Sequence, residues 1–339
     1  MFRFLGVYML FLSVFSLKAQ DEGNLVKWMN FKEAQETMKK QQKPLLIDIY
    51  TDWCGWCKHM MKTTYADPNI AVYINTYFYP VKFNAETHDT IEYNGEKFVN
   101  RGKEKKSPHD LALKFLGQSL SYPSTIFVSN NYQFNLLSQG YLDVKKIEPL
   151  LVFVVEGAFR TSSFDDFNKH FSNAFYDTVF VKKKPKEYSF SEAQEMQKKK
   201  SKKILVNIYA DFCNTCRVMN QTTYTDTALA NYLNKNYYLV NFNAQTNKEE
   251  VEYKGQKYAK NGANGFPIHA LALALTRNNF LIPAMVLLDE NQEIIDVVNF
   301  YQTPEWTNKI AHFYGDNEYK KMQWNDYVKK TQQPAPLNK

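Results

Sequence analysis

Apolar and polar positions along the chain change period several times, and the changes come in a fixed order. Phe31 to Gln41 carries apolar residues at helical spacing, Lys43-Pro44 breaks it, and Leu45 to Tyr50 is a continuous apolar run with β-branched members. Such a run, bounded by turn residues, predicts a buried strand. A Cys-x-x-Cys motif follows at once and opens a second helical stretch, Cys57 to Tyr65, before another buried strand from Phe78 to Phe83. Asn94-Gly95 and Lys254-Gly255 predict small hairpins. A helix from His109 to Phe115, strands at Thr125 to Val128 and Phe134 to Gln139, and a closing helix from about Val144 complete the pattern. Alternating helices and strands with short crossovers predict an α/β fold, its central strands parallel and both faces of the sheet covered by helices.

The whole pattern occurs twice, offset by 159 to 160 residues. Phe31 to Tyr65 aligns without gaps on Phe190 to Tyr224, with 18 identities in 35 positions. The match resumes at Phe83-Asn84-Ala85 with Phe242-Asn243-Ala244, and after one inserted residue at Glu92-Tyr93 with Glu252-Tyr253, His109 with His269, and Pro123 with Pro283. Self-similarity at one long period marks a duplicated structural unit. The two units are expected to span residues 22–176 and 181–335, with Lys182-Lys183-Lys184-Pro185 as the junction. At 339 residues the chain has room for two domains of ordinary size.

The amino-terminal stretch adds a location. Arg3, a short apolar segment ending near Leu17 and a small residue at Ala19 read as an export signal over residues 1–19, cut before Gln20. The segment holds no cysteine for a lipid, and a membrane span needs about 20 apolar residues. The expected mature protein is soluble and exported, periplasmic or secreted. The formal charge of +7 loses two positive charges with Arg3 and Lys18. The basic runs Lys182 to Lys184 and Lys198 to Lys203 read as solvated linker and helix-end charges, so nucleic acid is not an expected partner.

The four cysteines fall into two pairs, Cys54/Cys57 and Cys213/Cys216, and none is left over. Structural disulfides of exported proteins close long loops. A bridge between i and i+3 closes almost nothing, so its value is chemical. A zinc site built from all four thiols is disfavoured by the long separation of the pairs, and no metal or other cofactor is implied. A cysteine at a strand-to-helix corner faces the unpaired N–H groups and positive dipole end of the helix. That setting lowers a thiol pKa from about 8.5 by one to several units. Cys54 can then attack a disulfide, and Cys57, one turn on, can resolve the mixed disulfide.

These residues carry a resemblance. The segment Pro44-Leu45-Leu46-Ile47-Asp48-Ile49-Tyr50-Thr51-Asp52-Trp53-Cys54-Gly55-Trp56-Cys57-Lys58 resembles the redox strand and loop of thioredoxin-like proteins, and the similarity covers nearly all of both repeats. It implies two tandem thioredoxin-like domains, each a mixed central sheet with helices on both faces, and a thiol-disulfide oxidoreductase acting through Cys54 and Cys57. Its implied partners are exported proteins with cysteines or disulfides, with a membrane electron donor as a further candidate. By the same resemblance Asp48 is the buried acid that takes a proton from the resolving thiol, and Lys82 is its partner on the next strand. Pro123 resembles the cis-proline beside the disulfide, an isomer only slightly uphill for an X-Pro bond, and Tyr122 offers its backbone to substrate. Ile282 and Pro283 hold the matching positions in the second repeat. Gly55-Trp56 departs from the Gly-Pro of thioredoxin itself, so the redox potential does not carry over.

The repeats differ at the chemistry. In the second, Asp48 becomes Asn207, Lys82 becomes Asn241, Trp53 becomes Phe212, and Gly55-Trp56 becomes Asn214-Thr215. Losing one member of a buried ion pair strands the other at several kcal/mol, whereas losing both keeps hydrogen bonding and removes the proton acceptor. Cys213/Cys216 is therefore a second redox pair expected to exchange more slowly, and a structural brace is its alternative reading. A binding or assembly module with two structural disulfides, and an active first domain with a docking second one, are the competing functions. Trp53 and Trp56 are expected to form an exposed apolar platform for substrates. His59 reads as a helix-surface residue, and His109 and His269 as capping or packing groups at helix starts.

Overall fold

The computed structural model of the protein describes residues 25–177, 183–260 and 268–332. The expected export signal and Lys182 of the junction lie outside the described residues. The chain divides into two compact units, Met1–Val144 and Lys145–Lys339.

In the first unit, α1 (Phe31–Lys40) starts where the Asn30 side chain accepts from the Glu33 N–H and Glu33 returns the bond to the Asn30 N–H. This reciprocal cap satisfies two orphan donors, and Lys39 and Lys40 complement the dipole at the other end. Next come β1 (Leu45–Tyr50), α2 (Gly55–Lys62), α3 (Pro68–Tyr77), β2 (Tyr79–Asn84), the hairpin of β3 (Ile91–Tyr93) and β4 (Glu96–Phe98), α4 (Asp110–Leu116), β5 (Ser124–Val128) and β6 (Asn135–Gln139). The sheet order is β2-β1-β5-β6: β1 runs parallel to β2 and antiparallel to β5, and β5 is antiparallel to β6. The sheet is thus mixed, with one parallel pair. Asn94 and Gly95 both take positive φ at the hairpin, as its turn requires.

The helical stretch expected from Cys57 to Tyr65 forms as α2 but stops at Lys62, and the helix after it, α3, was not expected. The chain builds α2, a turn, and then α3, because Asp67 accepts from the N–H groups of Asn69 and Ile70 and Pro68 occupies the first turn. The dipeptide Asp67-Pro68 is a helix start signal in its own right.

Strand alternation sorts the core. Leu45, Ile47 and Ile49 face α1 and α4 in one cluster with Phe31, Ala34 and Leu111. The intervening Leu46, Asp48 and Tyr50 must therefore face the other side of the sheet, where α2 and the turn after it lie.

The second unit opens with α5 (Val144–Val155) from its second residue onward and α6 (Phe164–Phe175). Then follow β7 (Glu187–Tyr188), α7 (Phe190–Lys199), β8 (Lys203–Tyr209), α8 (Asn214–Val218), α9 (Thr227–Asn236), β9 (Tyr237–Asn243), β10 (Val251–Tyr253), β11 (Gln256–Tyr258), α10 (Ala270–Leu275), β12 (Ala284–Leu288), β13 (Ile294–Asn299), α11 (Pro304–Gly315) and α12 (Trp324–Gln332). Its sheet, β13-β12-β8-β9-β7, repeats the first with β7 added parallel to β9. The sequence pattern placed one closing helix from about Val144; the structure has two there, α6 starting where Ser163 accepts from the Asp166 N–H. No helix among the described residues is long and apolar enough to cross a membrane.

Candidate active site at Cys54 and Cys57

β1 delivers the chain into a tight turn that ends at Cys54, the residue capping α2. The Cys54 Sγ accepts from the Cys57 N–H at 3.0 Å, and the two sulfurs are bonded to each other. Cys54 and Cys57 are 4% and 5% exposed, while Trp53 and Trp56 between and beside them are 55% and 61% exposed. A nearly buried disulfide thus sits inside an open indole rim. Among the described residues, a Cβ built on Gly55 meets nothing within 4 Å.

The rim is held from several elements. Trp53 donates its indole N–H to Glu86 at 2.8 Å and meets Tyr122 edge-on with ring centroids 6.1 Å apart. Trp56 packs against Tyr141 and His59. His59 is accordingly an exposed helix residue within an aromatic group. Tyr122-Pro123 is a cis peptide, as is Ile282-Pro283 in the second unit, and each immediately precedes the strand that pairs with the motif's own strand.

Beneath the motif, Asp48 is buried and Lys82 Nζ lies 3.2 Å from its Oδ2. Register explains the pairing, since Asp48 and Lys82 are direct partners across the parallel β1–β2 ladder. The Tyr65 hydroxyl donates to Asp48 Oδ1 at 3.4 Å. The Lys82 ammonium also lies over the Trp28 and Tyr50 rings and touches the Met61 sulfur. Burial pushes the Asp48 carboxyl above the usual carboxylate range, and Lys82, followed by Tyr65, pulls against it. The result is a carboxylate able to take a proton at a pH where an exposed one would not.

Residues 186–274 match a family model described as thioredoxin-like, and residues 12–107 match the model Thioredox_DsbH, described as a protein of unknown function, DUF255. The chain holds two thioredoxin-like domains, each with a Cys-x-x-Cys pair. A thiol:disulfide interchange protein, DsbD, of Vibrio vulnificus is 34% identical over 59 residues, which is 16% of this chain and 10% of that protein. The chain therefore matches about a tenth of the length of that curated relative. Among solved structures, a DsbH oxidoreductase is similar at 19% identity over 33% of this chain and 72% of its own, with a TM-score of 0.23. The oxidised carboxy-terminal domain of Neisseria meningitidis DsbD is similar at 20% identity over 35% and 91% of the two chains, with a TM-score of 0.25.

The second thioredoxin-like motif keeps the sulfur geometry and changes everything around it. Cys213 caps α8, its Sγ accepts from the Cys216 N–H at 3.1 Å, and the pair is disulfide-bonded. Where Asp48 and Lys82 stand in the first unit, Asn207 donates to Asn241 at 2.9 Å and to Asn220 at 2.7 Å. Asn220 corresponds to Met61, so three positions have changed together into an amide cluster. Phe212, in place of Trp53, is still 45% exposed, but Thr215, in place of Trp56, is fully buried.

Several residues of these sites carry no motif in the sequence. Tyr65 could have been found, because it and Tyr224 close the identical block in both repeats. Trp28, Met61, Glu86 and Tyr141 come from separate stretches and meet only in the folded chain. His109 and His269 are fully buried caps: each Nδ1 accepts from the N–H two residues on, and each Nε2 donates to a backbone carbonyl, of Asp89 and Glu249.

Proposed function

We propose that the protein is an exported thiol-disulfide oxidoreductase that exchanges disulfides with protein substrates through Cys54 and Cys57. The observation that carries the reading is the buried Asp48, paired with Lys82, on the sheet face that lies under a disulfide rimmed by exposed indoles. In the reduced protein, the Cys54 thiolate attacks one sulfur of a substrate disulfide, forming a mixed disulfide and expelling a substrate thiolate. Cys57 then gives its proton to Asp48 and attacks the Cys54 sulfur, which expels the second substrate thiolate and closes Cys54–Cys57. The substrate gains two electrons and the enzyme loses two. The reverse sequence oxidises a substrate dithiol, and the reduction potential of the pair decides the direction. Trp53, Trp56 and Tyr122 would hold the substrate strand, with Pro123 beside it; a membrane electron donor would re-reduce the pair.

A division of labour, in which the first domain exchanges and the second docks or braces, is favoured by the Asn207–Asn241–Asn220 cluster, which holds no proton acceptor of the Asp48 kind. The test of the main reading is Cys57→Ser. It should accumulate mixed disulfides with exported proteins through Cys54, visible on non-reducing gels and dissolved by reductant. If the variant captures no partner and the intact protein leaves a model disulfide unreduced, the reading fails and the structural-brace alternative stands.

A further inference from the structure

The second disulfide has a carboxylate seated on it. Glu156, the residue after α5, accepts from the Asn214 N–H at 3.1 Å, the Asn214 side-chain amide at 3.0 Å, the Thr215 N–H at 2.7 Å and the Thr215 hydroxyl at 2.7 Å. Asn214 and Thr215 are the two residues between Cys213 and Cys216, so both N–H groups of the intervening dipeptide are occupied. Each carboxylate oxygen accepts twice, which suits the ionised form. Burial raises the Glu156 carboxyl and these four bonds hold it back. By sequence Glu156 belongs to the first repeat, where its counterpart in the second is Asp316, which is bound by Tyr232 and His312.

We propose that Glu156 is a built-in plug on the second redox centre, which keeps Cys213–Cys216 oxidised and closed to substrates and so confines exchange to Cys54–Cys57. Three effects add. Two N–H groups of the helix start, those of Asn214 and Thr215, already hold a carboxylate, which leaves the Cys216 N–H alone to stabilise a thiolate at Cys213. A negative charge fixed beside the motif opposes formation of a second one. The Thr215 hydroxyl, 3.5 Å from Cys213 Sγ, has one proton and gives it to Glu156 Oε2, so the sulfur faces the oxygen rather than its proton. The chain after Glu156 is tied to the same unit: Arg217 of α8 lies over the Phe175 ring of α6, and Thr161 hydrogen-bonds the Tyr301 carbonyl. At the matching place over the first motif, Gly55 has open space.

The test uses the full chain with Cys54 and Cys57 both replaced by Ser, so that only the second pair reports and the outcome does not depend on the first pair's activity. Reduction by dithiothreitol transfers two electrons to Cys213–Cys216 and leaves the reagent as its cyclic disulfide. Glu156→Gln and Glu156→Ala should each speed that reduction by about tenfold or more and move the pair's potential to a more oxidising value, with cooperative unfolding retained. Unchanged rate and potential in both variants would overturn the proposal. Should neither variant fold, the milder Glu156→Asp decides: its shorter carboxylate cannot reach both N–H groups, so reduction of the second pair should quicken several-fold, and an unchanged rate would overturn the proposal.

Discussion

Asp48 and Lys82 are direct neighbours across a parallel pair of strands, with Lys82 Nζ 3.2 Å from Asp48 Oδ2. Asn207 and Asn241 occupy the same two places in the second unit and bond to each other at 2.9 Å. One register therefore holds an ion pair in one thioredoxin-like domain and an amide pair in the other.

Asp48→Asn should slow resolution of the mixed disulfide by about 10- to 100-fold at neutral pH, the usual scale for losing a positioned general base. Stopped-flow exchange with a model disulfide measures it. In the wild type the rate should fall on acidification through the raised Asp48 value, and in the variant that limb should vanish; a persisting limb would remove Asp48 from the reaction.

Stability has a definite sign with pH. A carboxyl whose value is raised by folding binds its proton more tightly in the native state, so its contribution favours folding at acid pH and is lost as pH rises through the raised value. Stability of Asp48→Asn relative to the wild type should therefore increase as pH climbs above about 4, where the unfolded chain's carboxyl ionises. Urea denaturation at several pH values checks this.

Lys82→Asn leaves a buried carboxylate without its counter-charge and should cost about 3 kcal/mol. The double change Asp48→Asn with Lys82→Asn copies the second domain and should cost clearly less than Lys82→Asn alone. Denaturation midpoints of the single and double variants give the coupling.

Trp56→Ala removes an exposed ring that packs on Tyr141 and His59. Stability should change by less than about 0.5 kcal/mol, while KM for a protein substrate rises about tenfold, the scale of an exposed aromatic anchor. Reduction of the pair by dithiothreitol should be unaffected, which separates docking from chemistry.

His109→Ala should destabilise the first domain by about 2 kcal/mol, because it removes the cap of α4 and leaves a hole in the core. Disulfide exchange in the folded fraction should be unchanged. Thermal unfolding and the exchange assay together test the structural role.

The duplication, the strands flanking each motif, the hairpins and the helix starts at His109 and His269 were legible in the chain, because each depends on residues close in sequence: apolar period, turn chemistry, caps. The helix α3, which the apolar pattern did not place, has its start written in Asp67-Pro68, a cap and a first-turn proline. The ion pair of Asp48 and Lys82 was legible only through family resemblance, since spacing alone does not set strand register. What the tertiary structure decided was which distant groups share a volume. Trp28 gathers around Lys82 and Asp48 from one stretch of chain and Met61 and Tyr65 from another, and the acid Glu156 ends on a cysteine motif 58 residues away in sequence. Local sequence specifies elements because the backbone satisfies its hydrogen bonds locally. Which side chain lies against which across the fold follows from packing, and that is a property of the whole chain.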